Sequence, residues 1–409
     1  MRTLAILVGG GPAPGINAVI AAATIEARNH GLRVLGCYDG FRWLLEGDTQ
    51  RVVELTIQDL SRIHFDGGSI LRTSRANPTK APDGVARVAD TLRRLGVDHL
   101  ITIGGDDTAF AASRLARAAS GLTVAHVPKT IDNDLPLPSD IVTFGFATAC
   151  NLGKDLVHNL MQDAATTERW YFITVMGRHA GHLALGIGGG AAATLTVIAE
   201  EFRESPLPLD RVADVLEGAI IKRRAQGREH GVAILSEGLA ARIDPATFGE
   251  VERDAYGNVR LTELELGRQL KERVAASLHA RGVEVTIVAK ELGYELRCAP
   301  PGAQDIQYCR SLGYWATRFL LDGGSNAMVT IQAGRLVPVP FGLMIDPKTG
   351  KIRVRYVDVE SEMYQTLAAY MIRLKPEDFD DPEMLAALAK AGHLGEAEFV
   401  KRFGRLVGR

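Results

Sequence analysis

Short, unbroken apolar runs alternate with stretches of helical periodicity through most of the chain. The run at residues 4–8 (Leu-Ala-Ile-Leu-Val) is fully apolar and ends at Gly9, which predicts a buried strand. A glycine-rich loop follows, Gly9-Gly10-Gly11-Pro12-Ala13-Pro14-Gly15, then a helix over about 17–29 and a second strand at 34–38. The alternation continues with a helix near 85–95, a strand at 100–103, a helix near 108–119 and a strand at 123–127. Strands and helices in alternation predict an α/β fold with a mostly parallel sheet covered on both faces.

A long apolar-periodic segment at 146–164 predicts a helix that carries the chain into a second α/β unit. Strands are expected there at 170–175, 193–198 and 232–235, with a helix at 209–224. A charged, exposed-looking stretch at 241–260 precedes an expected helix at 261–281, a strand at 283–288 and a helix at 305–321. From 336 to 357 β-branched residues are broken by Pro338, Pro340 and the turn Pro347-Lys348-Thr349-Gly350, which predicts a hairpin or irregular ribbon. Helices are expected at 361–374 and 382–391, in a tail that either caps a domain or forms an oligomer contact.

The chain has 409 residues, 46% of them hydrophobic, which exceeds one core and makes two domains the default. A net charge of -2, with no long block of one sign, points to neither nucleic acid nor an anionic membrane as partner. The four cysteines, Cys37, Cys150, Cys298 and Cys309, are scattered and read as free thiols. No stretch has the length of a signal-peptide core or a membrane span, so a cytoplasmic setting is expected.

Successive strands of an open parallel sheet deliver their carboxyl ends to one edge, so two polar clusters are expected to line a single crevice. They are Gly104-Gly105-Asp106-Asp107-Thr108 and Pro128-Lys129-Thr130-Ile131-Asp132-Asn133-Asp134. A carboxylate beside two glycines suits Mg²⁺, which takes one or two carboxylates plus substrate phosphates, and Asp106 is the candidate. The alternative for Asp106 or Asp107 is capping of the following helix. A hydroxyl that attacks phosphorus must lose its proton, and Asp132 is the candidate base, with Asp134 as polar support. A plain Asx-turn is the alternative there.

The loop Gly9–Gly15 lacks the lysine and hydroxyl of a P-loop, and Pro14 stands where the last glycine of G-x-G-x-x-G would fall. Its glycines suit either an anion at a helix start or tight packing. In the second unit, Arg178 follows a strand and offers a planar fork to phosphate oxygens, while Glu200 closes another and can accept from sugar hydroxyls. Arg178 reads equally as a surface arginine, and His179 and His182 read as structural.

Taken in order, these motifs resemble the phosphofructokinase family from residue 4 to about 332. Met176-Gly177-Arg178, Ser236-Glu237-Gly238 and Leu292-Gly293-Tyr294-Glu295-Leu296-Arg297 complete the series. The resemblance implies two Rossmann-like three-layer α/β domains with mostly parallel sheets. The larger, at 1–143 and 297–340, would face the phosphate donor; the smaller, at 144–296, the sugar phosphate; a ribbon and helical extension would fill 341–409. It also implies Mg²⁺-dependent phosphoryl transfer to the 1-hydroxyl of fructose 6-phosphate, a step of glycolysis.

By motif position, Asp132 looks like the base, Asp106 a metal-site carboxylate, and Thr130 and Arg178 stabilisers of the reacting groups. Met176, Gly177, Arg178, Glu200, Glu237, Tyr294 and Arg297 match sugar-site positions, together with Thr130 and Asp132. Arg169 matches an arginine that reaches a neighbouring subunit's sugar phosphate, which implies at least a dimer with a shared active site. Gly10, Gly11, Arg75, Asp107, Thr108 and Lys129 fall on the phosphate-donor side.

ATP-using members resemble G-G-D-G where this chain reads Gly104-Gly105-Asp106-Asp107, whereas pyrophosphate users carry the second aspartate. A carboxylate there would face the α-phosphate of ATP. Two unit charges about 4 Å apart at an effective dielectric near 20 repel by roughly 4 kcal/mol, which disfavours ATP about a thousandfold. Lys129 is also the residue of the pyrophosphate users, and an ammonium there neutralises the transferred or leaving phosphate. The resemblance therefore implies pyrophosphate as donor in a reversible reaction, with ATP as the alternative and sedoheptulose 7-phosphate as a further acceptor that no residue excludes. A non-catalytic regulatory subunit would be expected to lose the base, yet Asp132, Asp134 and Asp106 are all present. The chain departs from the family at Arg297-Cys298-Ala299-Pro300-Pro301, in place of R-G-G-x-P, and in its longer tail.

Overall fold

The computed structural model describes residues 1–138, 141–248 and 261–408. The expected apolar runs become strands of two sheets. The first sheet contains β1 (Thr3–Val8), β2 (Arg33–Cys37), β3 (Val52–Glu54), β4 (His99–Gly104) and β5 (Thr123–Pro128). The second contains β6 (Trp170–Val175), β7 (Leu195–Val197), β8 (Gly231–Ser236) and β9 (Ile287–Leu292), and the chain then returns to the first with β10 (Ala327–Gln332) and β11 (Arg335–Pro340). Strand order is β11-β10-β5-β4-β1-β2-β3 in the first sheet and β7-β8-β6-β9 in the second. Of these strands, β3 and β11, at the edges of the first sheet, pair antiparallel and the rest pair parallel. Every residue of β1 and β4 is buried, as a sheet covered on both faces requires.

The chain divides into two compact units. One comprises Met1–Ala149 and Tyr294–Arg355, the other Cys150–Gly293 and Tyr356–Arg409. In the first unit the chain leaves β1 through the helix Ile16–Asn29 to β2 on one side, and later places β4 on the other side of β1. Strand order therefore reverses between β1 and β4, the point at which open α/β sheets bind ligands.

Three differences from the sequence reading have local causes. The strand expected at 283–288 lies at Ile287–Leu292: β9 is an edge strand whose Lys290 and Glu291 are exposed, so apolar patterning fails where the pairing continues. The helix His182–Ala191 was not expected; Gly188 and Gly189 interrupt its pattern because Thr196 and Leu367 pack where their side chains would lie. The helix expected at 261–281 is a short turn, Leu261–Leu264, followed by Leu266–His279. Most of the charged stretch at 241–260 lies outside the described residues.

The ribbon begins earlier than expected, as the hairpin β10–β11. Ala333 and Gly334 form its two-residue turn with φ of 48° and 75°, the backbone a type I′ turn needs. The segment beyond 340 does not stand apart as an extension: up to Arg355 it belongs to the first unit, and from Tyr356 onward to the second. Leu374, Phe379, Leu388, Phe399 and Phe403 are buried in one core with Trp170, Phe172, Leu216 and Leu270. Lys222 fixes the same tail by an ion pair of 2.7 Å to Asp378. Among the described residues, no helix is long and apolar enough to cross a membrane.

Phe399 is fully buried and packs against the rings of Phe379 and Phe403. Phe399→Ala should cost about 3–5 kcal/mol of stability in chemical denaturation. A loss below about 1 kcal/mol would mean that the tail contributes little to this core.

Candidate active site

Three loops leave adjacent parallel strands of the first unit at the same edge. In-register pairing sets Val8 opposite Ile103 and Gly104 opposite Pro128. The next residues are tied by the same ladder, with Gly9 N–H donating to Ile103 O at 2.9 Å and Lys129 N–H to Gly104 O at 2.9 Å. Gly10 takes φ 82°, in the left-handed region that favours glycine, and donates its N–H to Ser74 O at 2.8 Å. That contact sets the neighbouring Arg75, which is exposed, beside the glycine loop. Thr108 is buried beneath Gly9 and Gly104, and its side chain fills the space a Cβ would need at either position. Its place is in the packing of the turn.

Lys129 joins the loops. Its buried ammonium donates to Gly11 O, and it sits 3.2 Å from where a Cβ on Gly10 would lie. Arg297 comes as close to Gly11, its guanidinium carbon 3.3 Å from the corresponding position, and lies 5.1 Å from the ring centroid of Tyr294. Burial and the Arg297 charge pull the Lys129 ammonium down to about 8, while Asp132, Asp106 and Asp134 oppose that shift. Burial, then the charges of Asp132 and Asp106, push the Asp134 carboxyl up, and a hydrogen bond from Thr130 tempers the rise. One ammonium, one guanidinium and three carboxylates thus interact electrostatically in the first unit.

The capping alternative for the two aspartates is not what the structure builds. The cap position of the helix Asp106–Ala118 is Gly105, and both carboxylates lie in the first turn, where the helix dipole favours negative charge. Asp107 accepts from Asn77 Nδ2 at 3.1 Å, and burial followed by the Asp106 charge raises its carboxyl, against the pull of Lys80 and Lys351. In the turn at 130–134, Asp132 N–H donates to Thr130 Oγ1 at 3.0 Å, and Asn133, at φ 55°, accepts from Thr143 N–H at 3.0 Å.

Beneath this edge is a residue the sequence reading missed. His126, fully buried in β5, meets Thr102 Oγ1 at 2.8 Å and Gly104 O at 3.0 Å. Desolvation drives its imidazole down to about 3, so it is neutral and donates Nε2–H to that carbonyl, fixing the end of β4.

The second unit gathers its own candidates at the carboxyl ends of β6, β7 and β8. Gly177, at φ 143°, donates its N–H to the buried Glu237 Oε2 at 3.1 Å, between Met176 and Arg178. Glu200 follows β7 and accepts from Gly181 N–H at 2.8 Å and Val357 N–H at 3.1 Å. Arg169 stands apart from these, immediately before β6 and thus at its opposite end, with Nε 3.8 Å from Asp163. Six residues of strand separate it from Met176, roughly 20 Å. Among the described residues no group of three or more His, Cys, Asp or Glu side chains is arranged as a ready-made metal site.

Residues 3–320 match the family described as Phosphofructokinase. The pyrophosphate–fructose 6-phosphate 1-phosphotransferase of Thermotoga maritima is 52% identical, over 98% of this chain and 97% of that protein. A protein of the same name from Naegleria fowleri is 47% identical, over 99% and 96% of the two chains. The crystal structure of the pyrophosphate-dependent phosphofructokinase from Marinobacter aquaeolei superposes with a TM-score of 0.66 at 16% identity, covering 97% of this chain and 92% of that one, and shares the fold.

The lowered Lys129 gives a pH signature for anion binding. Its ammonium is lost as pH rises through about 8, so affinity for inorganic phosphate should fall by up to about tenfold per pH unit above that value. Calorimetric titration between pH 7.5 and 10 measures this, and Lys129→Met should bind weakly with a shallower profile, because the raised Asp134 carboxyl still titrates in this range. A native profile parallel to that of the variant would remove Lys129 from the anion site.

Proposed function

The chain belongs to the phosphofructokinase family, and we propose that it transfers a phosphoryl group reversibly from pyrophosphate to the 1-hydroxyl of fructose 6-phosphate, giving fructose 1,6-bisphosphate and phosphate. The observation that carries this reading is the buried Lys129 ammonium, bonded to the glycine loop and influenced by Asp106, Asp132 and Asp134. Phosphoryl transfer needs little covalent chemistry from a protein; it needs charge, positioning and a proton acceptor.

The roles follow from these groups. The backbone around Gly10 and Gly11, with Lys129 and Arg75, receives the donor phosphates. Met176, Gly177, Arg178, Glu200, Glu237, Tyr294 and Arg297 receive the sugar phosphate. As the sugar oxygen bonds to phosphorus, Asp132 accepts the hydroxyl proton and the bond to the departing phosphate breaks. Thr130 and Arg178 stabilise the charge on the transferred group, and Lys129 neutralises the departing phosphate. Asp134 supports Asp132.

Asp106 fits Mg²⁺, because a carboxylate at the first turn, close to two others, matches the one or two carboxylates this ion takes beside substrate phosphates. Mg²⁺ held there would supply positive charge to neutralise the phosphates. Asp107 selects the donor: Asn77 holds its carboxylate at the head of the helix, where a third phosphate would meet negative charge. The same names on relatives at 52% and 47% identity support pyrophosphate. Arg169, at the far end of β6 from its own unit's site residues, suits service to the site of a second copy, in a dimer or larger oligomer. The four cysteines are free thiols, which fits a reducing cytoplasm.

Initial rates with fructose 6-phosphate, Mg²⁺ and either pyrophosphate or ATP as sole donor test the reading. Pyrophosphate alone should support turnover, and Asp107→Gly should move the preference toward ATP. Asp132→Ser should cost about 10² to 10⁴-fold in kcat. Turnover of the native protein with ATP alone would overturn the donor assignment, and near-normal turnover of Asp132→Ser would overturn the base.

A further inference from the structure

We propose that Arg355, 222 positions from Asn133 in the chain, is the positioning residue of the Asp132–Asp134 turn. Its guanidinium reaches four backbone carbonyls of that loop. Nε and Nη2 donate to Asn133 O at 3.1 and 3.0 Å, and Nη1 donates to Ile141 O at 2.7 Å, Pro138 O at 3.1 Å and Leu137 O at 3.4 Å. Nη2 also donates to the side-chain oxygen of Asn133, and the Arg355 backbone N–H donates to Asp134 O at 2.8 Å. A planar fork of five donors fits such a set of oxygens; an ammonium would reach only some of them.

What the fork holds in place is unfavourable by itself. Asn133 lies at φ 55°, between two aspartates whose like charges raise the Asp134 carboxyl. Left-handed backbone and crowded carboxylates persist only where the surroundings fix them. Thr143 supplies one tether, through its N–H to Asn133 Oδ1 and its hydroxyl to Thr130 O. Thr130 supplies another, its Oγ1 accepting from Asp132 N–H at 3.0 Å, and Arg355 holds the carbonyls. It touches no reacting atom in this assignment and acts through the orientation of Asp132, so the inference rests on Asp132 being the base.

The structure assigns to this arginine a kinetic signature that packing alone would not give. Arg355→Ala should lower kcat about 10 to 100-fold with KM for both substrates within about twofold, because misplacing a base removes an interaction made only in the transition state. Arg355→Lys should recover part of the loss. In the Asp132→Ser background, Arg355→Ala should cost less than about twofold more, since a positioning residue has nothing left to position. Losses that multiply in the double variant would overturn the proposal, as would a native kcat in Arg355→Ala. Hydrogen exchange of the intact protein, read over residues 129–138 against the helix Ile16–Asn29, separates the loop from global stability. Arg355→Ala, or Arg355→Lys if the alanine variant does not fold, should accelerate exchange in the loop alone. Unchanged loop exchange overturns the proposal even if the native protein proves inactive with pyrophosphate, whereas inactivity with faster loop exchange counts against the function and not against the clamp.

Discussion

The parallel register of β1, β4 and β5 is the constraint on which the first unit's chemistry depends. Setting Val8 against Ile103 and Gly104 against Pro128 makes Gly9, Gly105 and Lys129 near neighbours without any long side chain spanning a gap. Close backbone approach then requires glycine where Thr108 packs, and a neutral donor, His126, to satisfy Gly104 O from below. A one-residue slip in either pairing would exchange the side chains that meet the two covering layers and offset the loops from one another. Fold and site are specified by the same hydrogen bonds.

Once the loops meet, charge becomes the difficulty. At Lys129 the carboxylates of Asp132, Asp106 and Asp134 partly offset the desolvation cost, whereas at Asp134 the charges of Asp132 and Asp106 add to it. In the proposed reaction, substrate anions and a divalent cation would supply the missing counter-charges. Preorganisation of the protein's own groups spares reorganisation during the reaction, and it explains why so many backbone tethers, from Thr130, Thr143 and Arg355, converge on one short turn.

The parts of the fold visible in the sequence were those governed by local pattern. β1 shows as an unbroken apolar run and β4, β5 and β6 as mostly apolar ones, and the polar residues after β1, β4 and β5 mark the loops with chemistry. Less was legible where tertiary structure decides. β9 continues through Lys290 and Glu291 because an edge strand needs no apolar cover there, and the helix His182–Ala191 tolerates its glycines because Thr196 and Leu367 pack onto them. The tail reads as either a domain cap or an oligomer contact, and its aromatic residues Phe379, Phe399 and Phe403 lie in the core of the second unit. Arg355 left no trace at all, since its partners are mostly carbonyl oxygens, which every residue type presents.

The central claim is that the phosphoryl group moves between pyrophosphate and the sugar without a nucleotide. Phosphorus NMR of the purified protein with fructose 1,6-bisphosphate, inorganic phosphate and Mg²⁺ tests it directly. The account predicts that a pyrophosphate resonance grows as the bisphosphate is consumed, with no nucleotide present. A spectrum that stays unchanged until ADP is added, and then shows ATP, would contradict it.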